Sequence, residues 1–344
     1  MNASVQTDSF VHNRLPPPEQ RARLQYDLPE LCIADQANLV EELLIKVVAR
    51  GLTDRPFLRS DRVTFTYAEA AVRINRIAQL LTEDFGLTPG NRVLLRGGNS
   101  IGMALSWLAV VKAGLVAVAT MPLLRARELG EILDKAQPCL AICDALLLDE
   151  LAQAGRSRPQ LKRTVCFNAG DDPLDLGALC ASKSGIFDAC PTAADDVALL
   201  AFTSGTTGTP KAAIHTHRDV LAACEAWPRH ILKATPGDII MGSPPLAFTF
   251  GLGGLLLFPM WAGASVYFPS VPYTPEAMVH LINQTGATIC YTAPTFYRQM
   301  ATFAKQHGTP TLRICVSAGE ALPDATRQLW KNATGIDMID GIGA

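Results

Sequence analysis

Apolar residues in this chain fall into short runs separated by longer amphipathic stretches, the pattern of strands alternating with helices. Asn91-Arg-Val-Leu-Leu95 predicts a strand and Arg96-Gly-Gly-Asn99 a turn. Ser100 is placed to cap a helix over Ile101 to Ala113, which Gly114 ends before a second strand over Leu115 to Ala119. The rhythm returns near the C-terminal end. Thr274-Pro275 starts a helix that Gly286 closes, and Ala287 to Tyr291 is a strand. Thr295 to His307 is a helix stopped by Gly308, followed by a strand over Leu312 to Val316. Pro323 to Thr334 is a helix closed by Gly335, and Ile336 to Ile339 a strand. Strands joined by helices of this length imply parallel sheets with covered faces, hence an α/β protein.

Between Asp144 and Asp196 the alternation weakens, with loop-like Gly-Asp-Asp-Pro at 170–173 and Pro-Thr-Ala-Ala-Asp-Asp at 191–196. A soft boundary near residue 190 therefore divides a first α/β subdomain, 31–190, from a second, 191–344, after a polar segment over 1–30. A length of 344 residues accommodates two ordinary domains at about 150 residues each.

Composition narrows the function classes. With 49% hydrophobic residues, 18% charged residues and a net charge of −2, the chain has ample core material and lacks the basic surplus that nucleic acid would demand. The nine cysteines are scattered without a CxxC pair, which suits reduced, mostly buried thiols. The first thirty residues are polar and proline-rich, unlike a secretory signal, so a cytoplasmic protein is expected. From Ile239 to Pro275 there is no charged residue, yet prolines cut the stretch into pieces shorter than the ~20 residues a bilayer requires. It reads as buried interior around a pocket, with no membrane partner. The oligomeric state is not legible.

The candidate chemistry begins after the apolar run Val197-Ala-Leu-Leu-Ala-Phe202. Thr203-Ser-Gly-Thr-Thr-Gly-Thr-Pro-Lys211 packs small hydroxyl and glycine residues densely enough to leave backbone N–H groups open to phosphate oxygens, and Lys211 adds a mobile positive charge. It is not a Walker loop, because Pro210 occupies the second glycine position and Ala212 follows the lysine. The spacing of Gly205 and Gly208 also excludes a kinase loop or a dinucleotide fingerprint. An ordinary Gly/Ser/Thr hairpin is the plain alternative.

The stretch from Phe202 to Lys211 resembles the signature of the adenylate-forming enzymes, the acyl- and aryl-CoA synthetase superfamily, with Ala212 where that family usually has glycine. Three further segments agree in order. Pro245-Leu-Ala-Phe-Thr-Phe-Gly-Leu-Gly253 resembles the aromatic segment lining the carboxylate pocket in benzoate- and 2-aminobenzoate-CoA ligases. Ser317-Ala-Gly-Glu-Ala-Leu-Pro323 resembles the adenine-binding segment, and Asp340-Gly-Ile-Gly-Ala344 the start of the next motif. The resemblance runs from about residue 30 to the end and is strongest to the 2-aminobenzoate-CoA ligase type. It implies the large N-terminal domain of these enzymes, two mainly parallel sheets with flanking helices.

It also implies a reaction. A carboxylate joins the α-phosphate of ATP, pyrophosphate leaves, and the acyl group passes to coenzyme A. Charge builds on phosphate, so positioning and charge stabilisation by N–H groups, hydroxyls, a lysine and Mg²⁺ are what the step requires. On this reading Thr203, Ser204, Gly205, Thr206, Thr207, Gly208 and Lys211 hold phosphates, with Lys211 and Thr203 catalytic. Ser317, Ala318, Gly319, Glu320, Asp340 and Gly341 meet the nucleotide, although Glu320 reads equally as an exposed acid leading the helix after Pro323. Phe248, Thr249, Phe250 and Gly251 wall a flat slot for an aromatic acid, 2-aminobenzoate or benzoate; Tyr291, Thr295 and Phe296, after a strand end, are weaker pocket candidates.

His215 and His217, two apart, are expected on one face of a strand, a spacing that could hold a metal or aid proton transfer; with nothing else to complete a metal-ligand set they read as structural or pocket-edge residues. Relatives continue with a Thr-Glu that holds Mg²⁺, an Asp for the ribose and a small domain carrying a catalytic lysine. The chain up to Ala344 contains none of these, so a C-terminally truncated ligase, inactive or impaired, is expected. The alternative is a non-catalytic module that binds nucleotide or aryl acid.

Overall fold

The computed structural model describes residues 4–25, 27–203, 210–271 and 273–342. The chain divides into two units: Met1–Lys46 with Glu69–Gly98 and Gly102–Ala226, and Val47–Ala68 with Asn99–Ile101 and Trp227–Ala344. Each has its own sheet among the described residues. Strands are numbered in chain order: β1 Pro56–Arg59, β2 Thr64–Thr66, β3 Arg92–Arg96, β4 Val116–Thr120, β5 Leu140–Asp144, β6 Arg163–Phe167, β7 Val197–Thr203, β8 Lys211–Thr216, β9 Ile239–Gly242, β10 Ser265–Tyr267, β11 Ile289–Thr292, β12 Ile314–Ser317 and β13 Met338–Asp340.

In the first unit the sheet order is β6-β5-β3-β4-β7-β8, parallel except for the antiparallel edge pair β7–β8. Every residue of β3 and β5 is buried, as helices on both faces of a parallel sheet require. Residue 190 lies in the connection from β6 to β7 inside this unit. The polar N-terminal segment carries two apolar anchors into the same unit. Val11 is buried with Leu94, Val116 and Val118, and the Phe10 ring lies 3.7 Å from the Arg14 guanidinium and 4.3 Å from that of Arg92. Asp8 pairs with Arg92, and the Asp8 N–H donates to the Pro89 carbonyl at 3.1 Å.

In the second unit the order is β13-β12-β11-β9-β10-β1-β2, parallel apart from β1–β2. Its helices start and stop where local chemistry predicts. The Thr274 hydroxyl accepts the Ala277 N–H at 3.1 Å, Pro275 opens the helix Pro275–Thr285, and Gly286 at φ +69° ends it. The helix Pro294–His307 begins one residue before the expected Thr295, with proline at the first position where its missing N–H costs nothing. Met278, Ile282, Cys290, Tyr297, Met300, Cys315 and Trp330 form the core between helices and sheet. Tyr297 meets Trp330 edge-on at 4.8 Å and donates its hydroxyl to the Cys290 carbonyl at 2.7 Å.

Much of the uncharged stretch from Ile239 to Pro275 is buried in this unit, in β9, the short helical turns over Thr249–Ala262, and β10. Among the described residues no helix is long and apolar enough to cross a membrane.

Candidate active site

In the first unit, the apolar run of β7 is buried through Phe202 and emerges at Thr203. β8 returns antiparallel, and its register puts Lys211 directly opposite Thr203. Opposed residues of an antiparallel pair project to the same face, so this hydroxyl and this exposed ammonium lie together at the last pair of the β7–β8 ladder. Ser204, Gly205, Thr206, Thr207 and Gly208, the remaining phosphate candidates, lie outside the described residues. Next to Lys211, the Pro210 carbonyl accepts from Lys135 Nζ at 2.9 Å, tying the start of β8 to the helix Ala126–Ala136.

The two histidines do not share a strand face, which corrects the spacing argument. β8 ends at Thr216 and His217 opens the helix His217–Ala226. The cause is a reciprocal cap: the Asp219 carboxylate accepts the Thr216 N–H at 2.8 Å and the Thr216 hydroxyl accepts the Asp219 N–H at 3.2 Å. His215 stays on β8, opposite Leu199, and burial lowers its pKa against the pull of Asp219. His217 is fully buried and its Nδ1 accepts the Leu39 N–H at 3.0 Å, the start of the helix Leu39–Ala49. Burial pushes its pKa down to about 3.

In the second unit the C-terminal ends of parallel strands collect the other candidates, as ligand-binding α/β sheets do. Thr292, Ser317 and Asp340 lie in one register row across β11, β12 and β13. The Gly341 N–H donates to the Ser317 carbonyl at 2.8 Å, holding the turn after β13 against the end of β12. Ala318 is buried, and Gly319 takes φ +91°, a backbone conformation that side-chain-bearing residues rarely adopt. Glu320 is exposed, and it caps not the helix that follows it but the neighbouring one, Pro294–His307. It accepts the Thr295 N–H at 2.9 Å and a short bond from the Thr295 hydroxyl. That hydroxyl first, and then the N–H, holds its carboxyl below the usual range.

The aromatic segment forms a corner beside these strand ends. Phe250 is half-buried with its ring 5.7 Å from that of Tyr291, tilted by 59°. Tyr291 accepts the Trp227 Nε1–H at 3.3 Å, and burial holds its phenol well above the ordinary range. Gly254 lets the Tyr291 ring lie against the backbone, since a Cβ there would meet Cδ1 at 2.6 Å. Gly251 is equally constrained, because its Cβ would fall 2.1 Å from the Pro245 carbonyl oxygen. Phe248 is 40% exposed and Thr249 also faces outward, so of the four slot residues Phe250 and Gly251 are the ones packed into this corner.

Sequence reading assigned no role to Asn99 beyond a turn. Its side chain clamps the Pro244–Leu246 bend, donating to the Pro244 carbonyl at 2.9 Å and accepting the Leu246 N–H at 2.8 Å. No spacing rule links positions 145 residues apart in this way. Among the described residues there is no group of three or more His, Cys, Asp or Glu that could hold a metal ion.

The family model for AMP-binding enzymes matches residues 45–344. Benzoate–CoA ligase of Thauera aromatica is 32% identical over 319 residues, covering 92% of this chain and 60% of that protein. The anthranilate CoA ligase AuaEII, solved in complex with anthranoyl-AMP, superposes with a TM-score of 0.86 at 29% identity, over 92% of this chain and 62% of that one. ATP-bound MatB from Rhodopseudomonas palustris gives a TM-score of 0.79 at 25% identity, over 90% of this chain and 60% of that one. The chain thus spans about three-fifths of the length of these relatives. The family model covers most of the chain, and the chain belongs to the AMP-binding, adenylate-forming enzyme superfamily.

Proposed function

We propose that this chain supplies the nucleotide- and acid-binding part of an aryl-acid:CoA ligase that converts an aromatic carboxylate and ATP into an aryl-adenylate and pyrophosphate, then passes the acyl group to coenzyme A. The acid is 2-aminobenzoate or benzoate. The observation that carries this reading is the Phe250–Tyr291 corner beside the row Thr292, Ser317 and Asp340, in a fold that superposes on a ligase holding anthranoyl-AMP.

The assigned roles follow from group chemistry. Lys211 and the Thr203 hydroxyl face charge that grows on phosphate as the carboxylate attacks, and a donor pre-aimed at such charge contributes more to the transition state than to the ground state. Ser204, Gly205, Thr206, Thr207 and Gly208 add hydroxyl and backbone donors to the same oxygens. Gly319 and Gly341 bring backbone close to the nucleotide, while Ser317, Ala318, Glu320 and Asp340 border it. Phe250 and the Gly251 backbone offer a flat apolar wall to the ring, with Phe248 and Thr249 at its rim. Mg²⁺ would neutralise phosphate charge once bound, and coenzyme A enters as the second substrate.

The test is pyrophosphate exchange into ATP with each acid, using the protein with whatever sequence follows residue 344, together with calorimetry on the present chain against a non-hydrolysable aryl-adenylate analogue. Acid-dependent exchange and micromolar analogue binding are the expected results. Binding without exchange would reduce the function to a nucleotide and aryl-acid binding module. Neither binding nor exchange with any aromatic acid would reject the substrate class.

A further inference from the structure

Both sheets set two cysteines opposite one another on neighbouring parallel strands. Cys143 of β5 is in register with Cys166 of β6, and Cys290 of β11 with Cys315 of β12. In-register residues of parallel strands project to the same face, and adjacent strands lie about 4.7–4.9 Å apart. Two metal–sulfur bonds of the length zinc makes to thiolate, about 2.3 Å, laid end to end span about 4.6 Å. A soft cation with linear, two-sulfur coordination therefore fits this spacing, and it asks for two donors where the larger metal clusters ask for three or more.

The two pairs differ in access and in charge. Cys290 and Cys315 are both 0% exposed, sealed in the core with Tyr297 and Trp330. Cys143 is buried but Cys166 is only half-buried, which leaves a way in. The same row continues to Arg96, in register with Cys143 on β3 and 1% exposed. Arg96 donates to the carbonyls of Leu147, Met121, Pro122 and Leu124 at 2.9–3.2 Å, all of them neutral. Glu150 acts on it only from a distance and is itself paired with Arg125 at 2.9 Å. Among the described residues, then, a buried guanidinium lies one strand from a dithiol with no carboxylate bonded to it, and a buried charge of that kind favours an anion beside it.

We propose that Cys143 and Cys166 form a binding site for a two-coordinate, monovalent soft cation of the copper(I) class, with Arg96 as the counter-charge of the anionic bis-thiolate complex. Two S–H bonds break, two metal–sulfur bonds form, two protons pass to solvent, and no electron is transferred. Burial pushes the Cys143 thiol up to about 12 and raises Cys166 as well, with Asp144, Asp172 and Asp175 adding to the latter. Both sulfurs therefore start protonated at neutral pH, and binding releases both protons.

The experiment titrates copper(I), buffered by a chromogenic competitor under anaerobic conditions, into the wild-type chain and into Cys166→Ser, Cys143→Ala and Cys290→Ser variants. The wild type and C290S should each withdraw one equivalent and release two protons in weak buffer, and X-ray absorption should report two sulfurs at about 2.3 Å or slightly less. C166S and C143A should lose that equivalent. Because Cys166 is half-exposed, C166S keeps the fold and carries the test if C143A disturbs the core. Withdrawal of copper unchanged in C166S, or none by the wild type, overturns the proposal.

Discussion

The buried imidazole of His217 should make the first unit acid-labile at pH values where most proteins are indifferent. Its Nδ1 accepts the Leu39 N–H at 3.0 Å, so the neutral ring carries its proton on Nε2, which is buried without a hydrogen-bond partner. Protonation would set a second N–H against the Leu39 N–H and place a charge where burial opposes it. Because the folded pKa, about 3, lies below the unfolded 6.5, the neutral ring's contribution is complete above pH 6.5 and is lost as the pH falls from 6.5 toward 3. At 1.36 kcal/mol per pH unit the full loss is about 5 kcal/mol, and about 2 kcal/mol is gone by pH 5. Denaturant unfolding at pH 7.5 and pH 5.0 measures it by difference. His217→Asn sets an amide oxygen where Nδ1 stands and so keeps an acceptor for the Leu39 amide without a titrating group; its stability should fall about 2 kcal/mol less than that of the wild type over this interval. Hydrogen exchange at the Leu39 amide, corrected for the intrinsic rate, should show protection reduced by roughly 30-fold at pH 5 in the wild type and not in the variant. Parallel pH dependences in the two proteins would refute the reasoning.

Other perturbations probe the remaining parts. In a protein that shows acid-dependent pyrophosphate exchange, Lys211→Ala should lower that exchange by roughly 10²-fold, the scale of a lost oxyanion donor, and unchanged exchange would remove Lys211 from the chemistry. Gly251→Ala pushes a methyl to 2.1 Å from the Pro245 carbonyl oxygen and 2.5 Å from that of Pro244; it should cost about 1–3 kcal/mol in denaturant unfolding and weaken binding of an aryl-adenylate analogue. Gly90→Ala would bring a Cβ to 2.5 Å from the Asp8 carbonyl oxygen at φ +90°, lifting the N-terminal segment; limited proteolysis should then cut before Val11, and an unchanged digest would show that the segment is held elsewhere.

Where the chain carries its own punctuation, sequence reasoning reached both the element and its end. Thr274-Pro275 and Gly286 bound a helix because a hydroxyl cap, a fixed φ and a left-handed glycine are local devices needing no tertiary partner. The alternation of apolar runs with helices determined parallel sheets for the same reason, since a strand buried on both faces must be apolar throughout. Thr216-His-Arg-Asp219 held a helix start as well, and the strict two-residue spacing of His215 and His217 obscured it. What only the tertiary structure decided were relations between distant residues: Asn99 clamping the bend before the aromatic segment, Glu320 capping a helix it does not lead, Val11 buried from within a polar segment, and cysteines brought opposite one another by strand order. A side chain's partner across the fold depends on register and on which strands become neighbours, and both are set by how the whole core packs rather than by any local run of residues.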